Sequence, residues 1–178
     1  MSCSNLTAGI ALDCFDNTGG VFKVYIANGP VESFTVSGAN KVDSMVINSA
    51  AVVDTDWFVF ELPKQVASFT ETVNVSQETG TIFYDQQLTL IFNKMTTAKR
   101  DQLRLMAEAN AMVVAFEDLN GRYWLLGLER GAFVNTGTTE TGTAYGDRNG
   151  YTITLQGLET KPVYEIDPTV VGAGNMIP

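Results

Sequence analysis

The chain of 178 residues contains no histidine, and that omission removes much familiar chemistry. Ser-His-Asp and Cys-His nucleophile systems, imidazole general bases and histidine-ligated metals all need the missing ring. The two cysteines, Cys3 and Cys14, are too few for a disulfide scaffold and cannot complete a four-ligand zinc site unless subunits share ligands. Reduced thiols are the expectation, with a disulfide or a shared metal as the alternatives. Asp54-Thr55-Asp56 and Glu117-Asp118 group carboxylates, but neither has the spacing of a calcium loop, and both read as solvated turns. Nothing singles out a carboxylate pair for glycoside hydrolysis, and no Gly-Lys-Ser/Thr follows a strand and opens a helix as a phosphate loop requires. Trp57, Tyr123 and Trp124 sit in strong β runs, where core packing is the first reading and a sugar-stacking platform the second. Asn5-Leu6-Thr7 fits a glycosylation sequon that a cytosolic chain does not use. The sequence names no catalytic, cofactor-binding or metal-binding residue.

Charge narrows the partners. With 11 basic and 20 acidic residues, the net charge is −9 and the pI about 4.4, which argues against phosphate-backbone binding, since affinity for DNA comes largely from Lys and Arg. An acidic surface lining a channel would instead repel DNA and let it slide. No basic region precedes an apolar core of the signal-peptide kind, the first lysine being Lys23. No apolar run approaches the roughly 20 residues of a membrane-spanning helix. Cytosol-like conditions and no membrane partner are expected. The 45% hydrophobic content suffices for one substantial core.

These side chains need elements to hold them, and the hydrophobic periods supply the elements. One stretch reads as helix, Thr97 to about Met112, with Thr97 as N-cap. Ala98, Leu105, Ala109 and Met112 form its apolar line, flanked by Leu103 and Met106, while Arg100, Asp101, Arg104 and Glu108 share the opposite arc. That arc is either a solvated face with pairs such as Asp101 with Arg104 and Arg104 with Glu108, or a polar contact with a neighbouring subunit. Strands are expected at Val21 to Ile26, Glu32 to Val36, Asp43 to Ile47 and Trp57 to Leu62. From Val66 to Asn93 a long hairpin turns at Gln77-Glu78-Thr79-Gly80. Its first arm puts Phe69, Val73 and Val75 on one side and Ser68, Thr70, Thr72, Asn74 and Ser76 on the other. The return arm aligns Ile82, Tyr84, Leu88, Leu90 and Phe92. The polar side fits a half-solvated sheet, a channel lining, or an arm pairing with a neighbouring subunit.

After the helix, Met112 to Glu117 and Arg122 to Leu126 form a hairpin whose Asn120-Gly121 suggests a type I′ turn. The run Val113-Val114-Ala115-Phe116 suggests burial on both faces. Gly127 and Gly131 mark bulges or a bend before Ala132 to Val134. Asn135 to Thr143 reads as a mobile or interface-bound loop, and Tyr151 to Gln156 as a strand. The division is a single β-rich domain over 1–161 and an extended C-terminal arm over 162–178.

Two stretches carry a resemblance. Cys3-Ser4-Asn5-Leu6-Thr7, Leu12-Asp13-Cys14, Gly19-Gly20-Val21 and Val24-Tyr25-Ile26-Ala27-Asn28 resemble the N-termini of virion proteins of tailed bacteriophages, particularly crAss-like and other phages of Bacteroidota. Tyr123-Trp124-Leu125-Leu126-Gly127, Gly131-Ala132, the two Thr-Gly-Thr repeats, and Asp147-Arg148-Asn149-Gly150-Tyr151-Thr152-Ile153-Thr154-Leu155 with Glu159 and Pro162 resemble the C-terminal half of the same group. The resemblance implies a structural subunit of a tail or neck ring with the tail-tube type of fold, located in the virion and made in the bacterial host cytoplasm. It implies a mainly β protein: an antiparallel β-sandwich or barrel-forming sheet with a long hairpin and one flanking α-helix. Its partners would be itself as a homo-oligomeric ring, other virion tail or neck proteins, and genomic DNA passing without sequence-specific binding. Subunit contacts are expected from Ser68, Thr70, Thr72, Asn74 and Ser76 on the hairpin, Glu78 at its turn, and Arg100 and Arg104 on the helix. The rival readings are a carbohydrate- or receptor-binding β-sandwich decorating the virion, using Trp57 or Trp124, and an enzyme with a carboxylate pair.

Overall fold

The computed structural model describes residues 8–12, 14–38, 41–47, 56–172 and 175–177. Cys3, the Asn5 sequon, Asp54-Thr55 and Ala173-Gly174 lie outside them. In chain order the elements are β1 (Val21–Asn28), β2 (Val31–Ser37), β3 (Lys41–Ile47), β4 (Asp56–Glu61), β5 (Ser68–Ser76), β6 (Thr81–Asn93), α1 (Thr97–Glu108), β7 (Met112–Asp118), β8 (Tyr123–Leu126), β9 (Ala132–Glu140), β10 (Gly150–Glu159), β11 (Tyr164–Ile166), α2 (Pro168–Gly172) and β12 (Asn175–Ile177). The protein is mainly β and mostly antiparallel, as expected; the parallel pairs are β3 with β11 and β4 with β12.

All strands belong to one hydrogen-bonded sheet, in which β7 and β9 are joined at the single pair Met112 and Ala132. That narrow joint divides the sheet into a wall of β9-β10-β6-β5 and a larger leaf built around β4-β1-β7-β8. Between them lies one core, with Leu88, Leu90, Phe92, Tyr151, Ile153 and Leu155 of the wall facing Val24, Ile26, Met112, Val114 and Phe116 of the leaf. The opposite face of the leaf builds a second core from Tyr25, Trp57, Val113, Ala115, Leu125, Ile166 and Val171. Strand β7 is thus apolar on both sides, which is why Val113 to Phe116 reads as an unbroken run.

Several expectations are corrected. Thr96, not Thr97, caps α1: it is extended at φ −138° and its hydroxyl accepts from Lys99 N at 3.3 Å. The helix stops at Glu108 because Ala109 turns extended and Met112 is drawn into β7, fully buried and paired with Asn28 and Ala132. Without Met112 the apolar stripe recentres on Leu103, Met106 and Ala109, and Leu105 is exposed. The Asp118–Gly121 turn is not type I′, since among the described residues Asn120 does not have a positive φ while Gly121 does, at 76°. Asp118 favours the alternative by accepting from Asn120 N and Arg122 N with one carboxylate oxygen.

Asn135 to Glu140 is strand, not loop: after a bulge between Thr136 and Val134, β9 pairs β10 as far as Glu140 with Gly150. Gly127 and Gly131 do mark a bend, where a Cβ on Gly127 would meet Ala132 N at 2.4 Å. The segment after 161 is no free arm. Tyr164 and Ile166 are buried in β11, Lys41 Nζ meets Asp167 Oδ2 at 2.8 Å, and β12 pairs β4. A second, short helix, α2, accompanies the expected one.

Candidate functional site

The period-2 alternation of β5, β6 and β10 sends apolar side chains into the core and polar ones out of the wall. Register lines up the outward residues in rows. Ser68, Thr89, Thr154 and Thr136 form one row across all four strands, and Thr70, Gln87 and Gln156 the next. Neighbours bond within this face: Thr89 and Thr154 hydroxyls lie 3.3 Å apart, and Asp85 accepts from Gln87 Nε2 at 3.1 Å and Gln156 Nε2 at 2.7 Å. At one end Arg148 pairs with Glu140 and donates to Thr152 Oγ1 at 2.8 Å. The wall therefore presents a surface rich in hydroxyls and amides, with Asp85 as the charge inside the rows and Phe133, Leu158 and Phe83 exposed on the same face.

Both edges of the wall are open. Among the described residues no strand pairs with the outer side of β5, and β9 meets β7 at Ala132 alone, so its run from Val134 to Glu140 is a second free edge. The β5–β6 hairpin also extends past the end of β10, whose pairing with β6 stops at Tyr84. On this overhang Val73, Val75, Ile82 and Phe83 are 40–63% exposed.

The expected contact residues divide between two places. Ser68, Thr70, Thr72, Asn74 and Ser76 stand together on the polar face of edge strand β5, and Glu78 sits exposed at the hairpin turn. Arg100 and Arg104 are exposed on α1, whose apolar side packs on the core beside β9. Arg104 bridges Glu108 at 2.9 Å, and Arg100 reaches Asp101 at 3.4 Å in place of the expected Asp101–Arg104 pair. Sequence reasoning missed the β9 edge, because its Thr/Gly composition reads as loop, and Asp85, whose role appears only once β10 supplies Gln156.

The tryptophans have separate fates. Trp57 is fully buried in the second core, which removes it as a stacking platform. Trp124 lines a cleft of about 340 Å³ with Phe69, Phe116, Asp118 and Asn120. The polar groups there bond one another: Asp118 Oδ2 accepts from Trp124 Nε1 at 3.1 Å, and Asn120 grips Thr18 and Asn17. Burial opposes ionisation of Asp118, yet the bonds from Arg122 N, Trp124 Nε1 and Asn120 N hold its carboxyl below the usual range.

Compared with protein families, curated proteins and solved structures, the chain matches none.

Among the described residues, no group of three or more Cys, Asp or Glu side chains gathers as a metal site. Among the described residues, no helix is long and apolar enough to cross a membrane.

Proposed function

We propose that this chain is a structural subunit of a tailed-bacteriophage virion, closing with copies of itself into a tail or neck ring around the DNA channel. The observation that carries the reading is the wall with two free edges. Its four strands alternate in direction, so β5 and β9 run opposite ways. Copies arranged head to tail would set β9 of one beside β5 of the next as an antiparallel pair, satisfying the open backbone groups of both edges. Repeated around an axis, this heterologous contact closes a ring and merges the walls into one barrel without a free edge.

The wall's two faces suit that arrangement. One is sealed by the core, and the other offers mainly Ser, Thr, Gln and Asn side chains, with Asp85, Phe83, Phe133 and Leu158 among them and no Lys in the paired rows. A hydroxyl- and amide-bearing lumen gives a polyanion nothing to bind tightly, because tight binding requires cations that displace counterions from phosphate. Passage without sequence reading follows from a lining that holds Asp85 and no Lys in its paired rows, in keeping with the chain's net −9. The overhanging hairpin, with Glu78 at its turn, and the Arg100/Arg104 arc remain for neighbouring copies or the next tail or neck component.

The test is electron microscopy and light scattering of the purified protein, beside a variant lacking 76–80. Rings from the parent, fewer or none from the deletion, and the protein's presence in virions by mass spectrometry are expected. A strictly monomeric protein at high concentration that is absent from virions contradicts the proposal.

A further inference from the structure

Where β6 and β10 run side by side, Gly157 stands opposite Gln86. The Gln86 amide packs beside Gly157: a Cβ on Gly157 would lie 3.6 Å from Gln86 Oε1, an ordinary contact distance. Two residues on, Glu159 projects to the same side. Gln86 and Glu159 are 1% and 4% exposed, and both line one small void with Leu125, Leu128, Lys161 and Tyr164.

Half of their side-chain polar atoms are satisfied. Gln86 Nε2 donates to Glu71 Oε2 at 3.0 Å, and the same oxygen accepts from Val163 N at 2.7 Å. Glu159 Oε1 accepts from Glu129 N at 3.2 Å and Arg130 N at 3.1 Å. Gln86 Oε1 and Glu159 Oε2 remain, both buried and both without a partner. These are acceptors on one void, and the void has no space for a water molecule. Turning the Gln86 amide around would not help, because its oxygen would then face Glu71 Oε2. A proton on Glu159 would supply the donor that these two acceptors lack.

We infer that Glu159 is held as a carboxylic acid whose O–H donates to Gln86 Oε1, forming a proton-dependent clamp at the root of the β5–β6 hairpin. The completed chain of bonds runs from the Glu129–Arg130 turn through Glu159 and Gln86 to Glu71 on edge strand β5, and on to Val163 before β11. Burial pushes the Glu159 carboxyl up, against the lowering pull of the Arg130 and Glu129 N–H groups. The charged and titratable groups around it are Glu129 and Arg130 in the turn, Lys161 in the following loop, Tyr164 on β11, Glu71 on β5 and Tyr84, its register partner on β6. Lys161 Nζ is 3.8 Å from Glu129.

In the unfolded chain this carboxyl ionises near pH ~4.3. Its folded value is raised, so the folded state keeps the proton as pH climbs through the interval between the two. Stability is therefore greatest below the unfolded value, falls across that interval, and levels off above the folded value. Ionisation sets an anion against Gln86 Oε1 and loosens the hairpin root. The clamp is a property of the subunit and does not depend on the ring.

The experiment is a carboxyl-carbon NMR titration of the full chain, with thermal unfolding from about pH 4 to about pH 8. Wild type and Glu159→Gln are compared, the amide of the variant supplying a permanent donor. A raised Glu159 titration is expected, with a wild-type Tm that falls as pH rises. Glu159→Gln should lack that fall and be at least as stable as wild type at pH about 7. Hydrogen exchange around Glu71 and Gln86 should quicken with pH in wild type and not in the variant. An ordinary glutamate titration in the wild type overturns the inference whether or not the variant folds. So does a folded Glu159→Gln less stable than wild type at every pH.

Discussion

Asp118 takes three hydrogen bonds within one turn, from Asn120 N at 2.8 Å, Arg122 N at 2.9 Å and Trp124 Nε1 at 3.1 Å. Its neighbour Asn120 ties the 17–18 segment to the same turn. Asp118→Ala removes all three acceptor contacts and should cost about 1–3 kcal/mol in urea unfolding. The folded carboxyl is held below its usual range, so its contribution is fully present above the unfolded value near pH ~3.9 and is lost as pH falls through the folded value. The wild type should therefore lose stability more steeply than Asp118→Asn as acid is added. Trp57 belongs to the same scale. Fully buried among Tyr25, Val113 and Ile166, it should cost about 3–5 kcal/mol on truncation to alanine, measured by chemical denaturation.

At the scale of elements, α1 rests on one good cap. Its first turn has no acidic residue and carries Lys99 and Arg100 near the positive end of the helix dipole. Thr96→Ala should cost about 1 kcal/mol, read as a shift in urea midpoint at constant slope. The exposed overhang gives the complementary case. Val75→Asp replaces a 63% exposed side chain, so the monomer's stability should stay within about 0.5 kcal/mol. If the overhang meets a neighbouring copy, assembly measured by light scattering should nevertheless fall.

Alternation made the strands and the polar face of β5 legible in the sequence, since Ser68, Thr70, Thr72, Asn74 and Ser76 need only period 2 to share a side. The end of α1 was not legible: Met112 satisfies a helical stripe and a buried strand equally, and long-range pairing with Asn28 decided between them. Nor was β9, whose Thr136-Gly137-Thr138 becomes strand only because Thr154, Ile153 and Thr152 stand opposite. Tyr164 and Ile166 were hidden by flanking prolines that read as an arm. Nothing local couples Gln86 to Glu159, which are brought together by the β6–β10 register.

At the scale of the whole molecule, the leaf is apolar on both faces and the wall on one. That asymmetry separates a structural body from a surface that faces outward. Two opposite-running edges, free among the described residues, and an apolar overhang support the proposed repeating unit, since edge strands left open in solution invite pairing. Electron microscopy of the assembled protein, at a resolution that separates strands, addresses this most directly. The expected result is a closed ring in which β9 of each copy pairs antiparallel with β5 of the next, with the Ser68–Thr89–Thr154–Thr136 row facing the lumen. A ring with both edges left open to solvent, or a protein that stays monomeric at high concentration, would contradict it.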